Sequence, residues 1–190
     1  VLFESSPDGL GGQWRHALAG PSHEPIARLT IENLERWAQG ADVRLGVDVT
    51  LEQIIDEQPD LVVLASGAVE YRRPLELDSG ASRMLDGWAV LDGAEVEGSV
   101  VVWEWGGDWT GFVAAEMLAS AGHKVRLASS SAAFGEGMHQ YQRNLYLGRL
   151  DELGVELVSH VEPLRLGDGQ LLVRNVFSER EMTLDDVGTL

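Results

Sequence analysis

Hydrophobic positions along the chain recur at two periods, and their alternation predicts strands joined by crossover helices. Val1 to Phe3 form a short apolar run closed by Glu4, the pattern of a strand ending in an acid. Turn formers follow at Pro7 to Gly9 and at Gly11 and Gly12. From Pro25, the residues Ala27, Ile31, Leu34 and Ala38 recur at helical spacing, and Gly40 closes that helix. Val43, Leu45 and Val47 alternate as a half-buried strand. Thr50 and Gln53 have the spacing of a capping box, which opens a short helix through Ile54 and Ile55. Pro59 and Asp60 lead into Leu61–Ala65, a continuous apolar run of the kind that parallel sheets bury on both faces. Ser66, Gly67 and Ala68 end it.

Residues 69–96 show no clear period and read as a connection. A second unit opens with a buried strand over Ser99–Trp103 and a glycine turn at Gly106 and Gly107. A helix carrying Phe112, Ala115, Leu118 and Ala119 follows and ends at Gly122. The next strand covers Lys124–Ala128, a helix spans about Gly137 to Leu153, and Val155–Val158 is a further strand. After Pro163 the pattern changes to a meander: 164–166, a turn at Asp168 and Gly169, 171–173 and 181–184. Strand, turn, crossover helix and strand in this order predict an α/β fold of two Rossmann-like nucleotide-binding units, with parallel sheets and a small β-meander. The expected boundaries are 1–95 for a partial first domain and 96–182 for the second. Residues 183–190 would begin a strand returning to the first. Val1 reads as a strand already under way and Asp185–Leu190 as another beginning, so the chain is expected to be a piece of a longer protein cut at both ends.

Charge narrows the partners. The 31 acidic residues against 14 basic ones give a formal charge of −17. Such a surface repels phosphate backbones and anionic lipids, so neither nucleic acid nor membrane is expected as a partner. No apolar run approaches the roughly 18 residues that a membrane span requires. The absence of cysteine excludes disulfides, thiol chemistry and ligation of an iron–sulfur cluster by this chain. The five histidines show no metal-ligand spacing. A nucleotide would have to be held by backbone N–H groups and helix N-termini, against the sign of the overall field.

Three constellations could carry chemistry. Glu4 with Gly11, Gly12, Gln13 and Trp14 fits an acid that accepts ribose hydroxyls beside a close-approach glycine turn. It equally fits a strand-end glutamate and an ordinary turn, and the glycine loop expected just before such a strand is not in the chain. The second constellation is the strand, turn and helix over 99–121, where Gly106 and Gly111 match a dinucleotide fingerprint but Asp108 stands in place of the middle glycine. A carboxylate there adds bulk and like charge against a pyrophosphate. After the following strand come Ser129, Ser130 and Ser131, with neither an acid for a ribose nor an arginine for a 2′-phosphate. Both departures point to a fold kept without NAD(P)H. The third is Trp103, Trp105 and Trp109, expected in core or interface packing ahead of base stacking. No nucleophile, base and acid stand in a recognisable arrangement.

Taken in order, Val1–Glu4, Leu10–Gln13, Val43–Gly46, Val49 and Thr50, and Pro59–Ala68 resemble the nucleotide-binding modules of NADH:flavin oxidoreductases, most nearly the trimethylamine dehydrogenase group. The resemblance implies two glutathione-reductase-like domains following a barrel that holds FMN and a 4Fe-4S cluster outside this chain. In the amine dehydrogenases it implies ADP in the former FAD site and an empty NAD-like domain; in the reductases, FAD and NADP(H). Asp108 and Ser129 point to the amine-dehydrogenase side. By position, Glu4 would hold the ADP ribose, with Gly12 at the close-approach turn and Gln13 and Trp14 lining the crevice. Val49 would meet adenine through its backbone, and Ser66, Gly67 and Ala68 would lie near the phosphates. The implied partners are the parent's remaining domains and an electron-transfer flavoprotein, in a cytoplasmic, homo-oligomeric parent. Two other readings stay open: an FAD- and NAD(P)H-binding module like that of 2,4-dienoyl-CoA reductase, and a nucleotide-free docking module with an acidic, tryptophan-bearing surface.

Overall fold

The computed structural model describes residues 1–69, 74–78 and 83–190. They fall into two compact units: Val1–Leu18 with His23–Val69, and Ala19–Ser22 with the chain after Val69.

In the first unit, β1 (Leu2–Glu4) and β2 (Val43–Leu45) pair in parallel, Leu2 opposite Val43 and Glu4 opposite Leu45. The crossover between them runs through a glycine-rich turn, a 3-10 helix over Gly12–Ala19 and α1 (Glu24–Ala38). α1 carries Pro25 in its first turn, where a missing N–H is harmless, and buries Ala27 and Ile31 one turn apart. Arg44 of β2 lies over the Phe3 ring at 5.3 Å and pairs with Asp42 at 2.7 Å and Glu57 at 2.5 Å. Gly46, with φ +69°, ends β2. α2 (Leu51–Asp56) opens with the expected capping box: Gln53 N–H donates to Thr50 Oγ1 at 3.3 Å, and Thr50 N–H donates to Gln53 Oε1 at 2.9 Å.

One expectation is overturned here. Leu61–Ala65 forms no strand and joins no ladder among the described residues, and Leu64 is 82% exposed. An apolar run records a demand for burial; it becomes a strand only where a neighbour supplies the matching N–H and C=O groups. Within the first unit the described strands are β1 and β2 alone, and neither pairs with it.

The second unit is built on a parallel sheet of β4 (Val100–Glu104), β5 (Val125–Ser129) and β6 (Glu156–Val158), in that order. Before it, the connection expected over 69–96 holds β3 (Glu76–Leu77) and α3 (Gly87–Leu91); part of that connection lies outside the described residues. α3 is capped by Asp86, whose Oδ1 accepts Ala89 N–H at 2.8 Å. α4 (Trp109–Ser120) crosses from β4 to β5, and α5 (Gln140–Glu152) from β5 to β6. α4 is apolar nearly all round because it is covered on every side: Phe112, Val113, Ala114, Ala115 and Leu118 are buried with Leu127 and Leu150 in one core. Phe112 meets Tyr146 of α5 edge-on at 5.8 Å. The one charged residue buried on α4 is Glu116, which accepts hydrogen bonds from Arg149 Nε at 2.7 Å and Ser22 Oγ at 2.6 Å.

The meander is an antiparallel set of β7 (Val161–Gly167), β8 (Gln170–Asn175) and β9 (Glu181–Asp185), with β3 added in parallel to β7. Asp168 and Gly169, both at positive φ (+48° and +75°), make the tight turn between β7 and β8. Its inner face packs Val161, Leu166, Leu171, Val173 and Leu184 into a second core together with Val101, Ala128 and Val187. Residues 183–190, expected to begin a strand returning to the first unit, belong to the second. They complete β9, and Thr189 then bridges in parallel to Val100 and Arg83. Thr189 Oγ1 also accepts Glu97 N–H at 2.8 Å and donates to Glu97 O at 3.0 Å.

Two glycines test this packing in opposite directions. A Cβ at Gly188 would collide with the backbone carbonyl of Glu97, whereas one at Gly148 in α5 would meet open space. Gly188→Ala is expected to lower stability by about 3 kcal/mol. Gly148→Ala is expected to raise it by roughly 0.5–1 kcal/mol. Denaturant unfolding of both variants checks this, and equal shifts would contradict the packing described.

Candidate nucleotide-binding loops

In sheets of this kind ligands gather at the carboxyl ends of the parallel strands, so each unit offers one candidate loop. In the first unit that loop follows β1. Glu4 is half-buried, and its Oε1 accepts Ser6 N–H at 2.8 Å and Ser5 Oγ at 3.4 Å. Its Oε2 takes no hydrogen bond among the described residues. The backbone ties this end to the turn after β2: Val47 N–H donates to Glu4 O at 3.0 Å and Gly46 N–H to Ser6 O at 3.2 Å. Val49, two residues further on, is half-buried.

The glycine turn divides its work. Gly11 lies at φ +121°, where an added Cβ would be 3.2 Å from Ile31 Cγ1, so this glycine lets the turn close onto α1. Gly12, at φ +47°, faces open space. Gln13 and Trp14 are both exposed, and Trp14 N–H donates to Gly11 O at 3.0 Å. Ser66, Gly67 and Ala68 are exposed, and no hydrogen bond among the described residues joins them to Glu4 or to 12–14. Of the expected set, then, the structure ties the end of β1 to Gly46 and Val47, shows Gly12, Gln13 and Trp14 exposed, and joins Val49 to Glu4 by no hydrogen bond among the described residues. A carboxylate with an unused oxygen at a strand end suits a ribose diol in chemical kind.

The second loop joins β4 to α4 and differs in character. Glu104, the last residue of β4, is 3% exposed. Its Oε1 accepts the N–H of Gly107, and its Oε2 accepts Ser129 Oγ at 3.3 Å. Ser129 Oγ in turn accepts Ser131 N–H at 3.2 Å. Asp108 caps α4, its Oδ1 accepting Thr110 N–H at 2.8 Å. Gly107 at φ +67° makes the turn, and its carbonyl accepts Gly137 N–H at 2.8 Å. A Cβ at Gly111 would lie 2.8 Å from Glu104 Cγ. Burial raises the Glu104 carboxyl above its usual range and the nearby Asp108 charge adds to this, while the bonds from Gly107 and Ser129 pull the other way. Glu104 was not singled out from the sequence. The signal available was a charged residue closing an otherwise apolar strand just before a glycine pair.

The tryptophans separate. Trp103 packs against the meander core, and Trp109 against the core around α4. Trp105 is 60% exposed, with its ring 5.5 Å from that of Trp103. Among the described residues no group of three His, Cys, Asp or Glu is placed to hold a metal ion, and no helix is long and apolar enough to cross a membrane.

The chain is similar to several known proteins. N,N-dimethylglycine/sarcosine dehydrogenase of Chromohalobacter salexigens is 30% identical, over 77% of this chain and 23% of its own length. Bilirubin reductase of Mediterraneibacter gnavus is 31% identical, over 84% of this chain and 24% of its own. The chain therefore spans about a quarter of the length of these curated relatives, both of which are named for oxidoreductions. Histamine dehydrogenase from Rhizobium sp. 4-9 superposes over 100% of this chain and 31% of its own, with a TM-score of 0.83 at 21% identity. No protein-family model matches the chain. The fold is α/β, with parallel sheets and crossover helices of the Rossmann-like kind, as the sequence order implied.

The Glu104 environment sets a pH dependence. Because folding raises its pKa, the folded protein binds more protons than the unfolded one between the ordinary carboxylate pKa and the raised value. Stability from this group therefore falls as pH rises through that window. Glu104→Gln keeps an acceptor for Gly107 and removes the titration. The unfolding free energy of the parent sequence minus that of the variant should decrease with rising pH, other carboxylates cancelling in the difference. Denaturant melts from acid to neutral pH measure it, and a flat difference would refute it.

Proposed function

We propose that this chain is the nucleotide-binding module of an FMN- and iron–sulfur-dependent oxidoreductase of the amine dehydrogenase type. It holds ADP or FAD in the first unit and leaves the second without NAD(P)H. The observation that carries the reading is the Glu4 carboxylate, which stands at the carboxyl end of the parallel pair β1–β2 with one oxygen unused. The sequence likeness to a dimethylglycine/sarcosine dehydrogenase supports the class of parent.

In this reading Glu4 accepts the ribose hydroxyls, and Gly12 lets the backbone approach. Gln13 and Trp14 line the crevice, Val49 meets the adenine edge through its backbone, and Ser66 to Ala68 stand near the phosphates. FMN and the 4Fe-4S cluster, held by other parts of the parent, supply the redox chemistry; a chain without cysteine has no ligand to give a cluster. The substrate class is a small amine, and an electron-transfer flavoprotein is the acceptor. A second reading, a reductase with FAD in the first unit, is favoured by the likeness to bilirubin reductase.

Mass spectrometry of the nucleotide released on denaturing the full-length protein separates the two. ADP is expected; FAD would move the protein to the reductase side, and no nucleotide would overturn both. Hydrogen bonds to a charged group contribute about 1.5–3 kcal/mol each, so Glu4→Ala should weaken nucleotide retention by roughly tenfold to a hundredfold. Unchanged retention would remove Glu4 from the site.

A further inference from the structure

A glycine turn between a parallel strand and its following helix binds a pyrophosphate through backbone N–H groups that point into the turn. In the β4–α4 loop the corresponding donors are engaged by the protein's own carboxylates. Gly107 N–H donates to Glu104 and Thr110 N–H to Asp108. Glu104 is held in place from its other side by Ser129 at the end of β5, where an acid for a cofactor ribose would be expected. The last glycine of the fingerprint is accounted for by the same side chain. Gly111 is bare because a Cβ there would lie 2.8 Å from Glu104 Cγ and 3.1 Å from Glu104 Cβ.

We propose that Glu104 is an internal substitute for a cofactor phosphate. Together with Asp108 it takes the backbone donors of the β4–α4 loop, keeps the loop in its anion-binding shape, and excludes dinucleotides from the second unit. The inference rests on reading that unit as a dinucleotide-type fold, and it is independent of which nucleotide the first unit holds. Like-charge repulsion acts in the same direction, since an incoming pyrophosphate would meet a buried carboxylate and Asp108 on the same turn. Glu104 is buried, and that burial is the main cause that raises its pKa.

The experiment follows hydrogen–deuterium exchange and NADH binding by equilibrium dialysis in the full-length protein. Glu104→Ala is expected to speed exchange in the peptide spanning 105–110 by at least about tenfold, the loss of one hydrogen bond to a charged group. Peptides of β5 and β6 should keep their rates, and Glu104→Gln, which retains an acceptor oxygen, should restore protection. The unsubstituted protein and Asp108→Gly alone should bind no NADH at millimolar concentration, because Gly107 N–H stays taken. Glu104→Ala combined with Asp108→Gly should bind it and regain protection of the loop. Should Glu104→Ala fail to fold, Glu104→Gln with Asp108→Asn carries the test, with inorganic pyrophosphate as the probe and a gain of about tenfold expected. The proposal is overturned if loop exchange ignores Glu104→Ala, if the unsubstituted protein binds NADH as tightly as the double variant, or if neutralising both acids yields no gain. None of these results alters the nucleotide released from the first unit, so the two readings fail separately.

Discussion

Parallel strands can be buried only by elements packed on both faces, because each crossover connection lays a helix against the sheet and the strand edges need neighbours of their own. The second unit meets this constraint within the described residues. α4 and α5 cover β4, β5 and β6, and the meander packs Leu166, Leu171 and Val173 with Val101 of β4 and Ala128 of β5. The first unit meets it in part. Its two short strands pair with each other, while Leu61–Ala65 and the apolar side of α2, Leu51 and Ile55, remain exposed. At about 25 cal/mol for each Å² of apolar surface, side chains of this size left in water represent a large unrealised stabilisation. The apolar side chains of 61–65 thus find no cover among the strands described.

The segment Ala19–Ser22 shows how a polar contact serves the same packing. It runs from the last residue of the 3-10 helix towards α1, yet belongs to the second unit. There Gly20 sits so close to Val113 that a side chain would collide with it, and Ser22 donates to Glu116. Glu116 is fully buried, and its Oε2 has no hydrogen-bond partner. Placing a carboxylate in a core and satisfying one of its oxygens is an inefficient way to gain stability, since desolvation offsets much of what Arg149 returns. Its effect is positional: it fastens one short segment to one point on α4 and orients Arg149 of α5 towards the same place.

Periodicity made legible the elements whose burial is complete. The strand at 100–104, the apolar helix from Trp109, the strand at 125–129 and the turn at Asp168 and Gly169 each carry a signal that needs no outside partner. So does the Thr50 and Gln53 capping box, which is local chemistry closed within four residues. The pattern misled at Leu61–Ala65 because hydrophobicity reports what a segment needs and not what lies beside it. It was silent at β3 and α3 because two and five residues are too short to show a period. For 183–190 it offered only an incipient strand, which does not name the sheet it joins; here Thr189 bridges to Val100. For the candidate loops, the sequence named Glu4 and Asp108, and the structure places them at a strand end and a helix N-cap. Glu104 escaped because its role is a tertiary contact with Gly107 and Ser129, and a strand-end glutamate looks the same whether it faces water or a loop.

The two loops make opposite uses of the same local design. Each is a turn after a parallel strand whose last residue is glutamate. After β1, Glu4 spends one oxygen on Ser6 and keeps the other, and Gly12 stands open, so the turn retains unspent capacity for a ligand that can donate hydrogen bonds. After β4, Glu104 spends both oxygens within the protein, Asp108 takes the helix terminus, and Gly111 is shaped around Glu104. A strongly acidic chain gains nothing from an open anion site that its own field disfavours, whereas an unsatisfied buried N–H costs about 1–3 kcal/mol. Filling the loop from within resolves both terms at once. The glycine pattern that in other proteins marks a bound phosphate can therefore persist here for the sake of a side chain, and a fingerprint of this kind has to be read together with the residue that ends the strand before it.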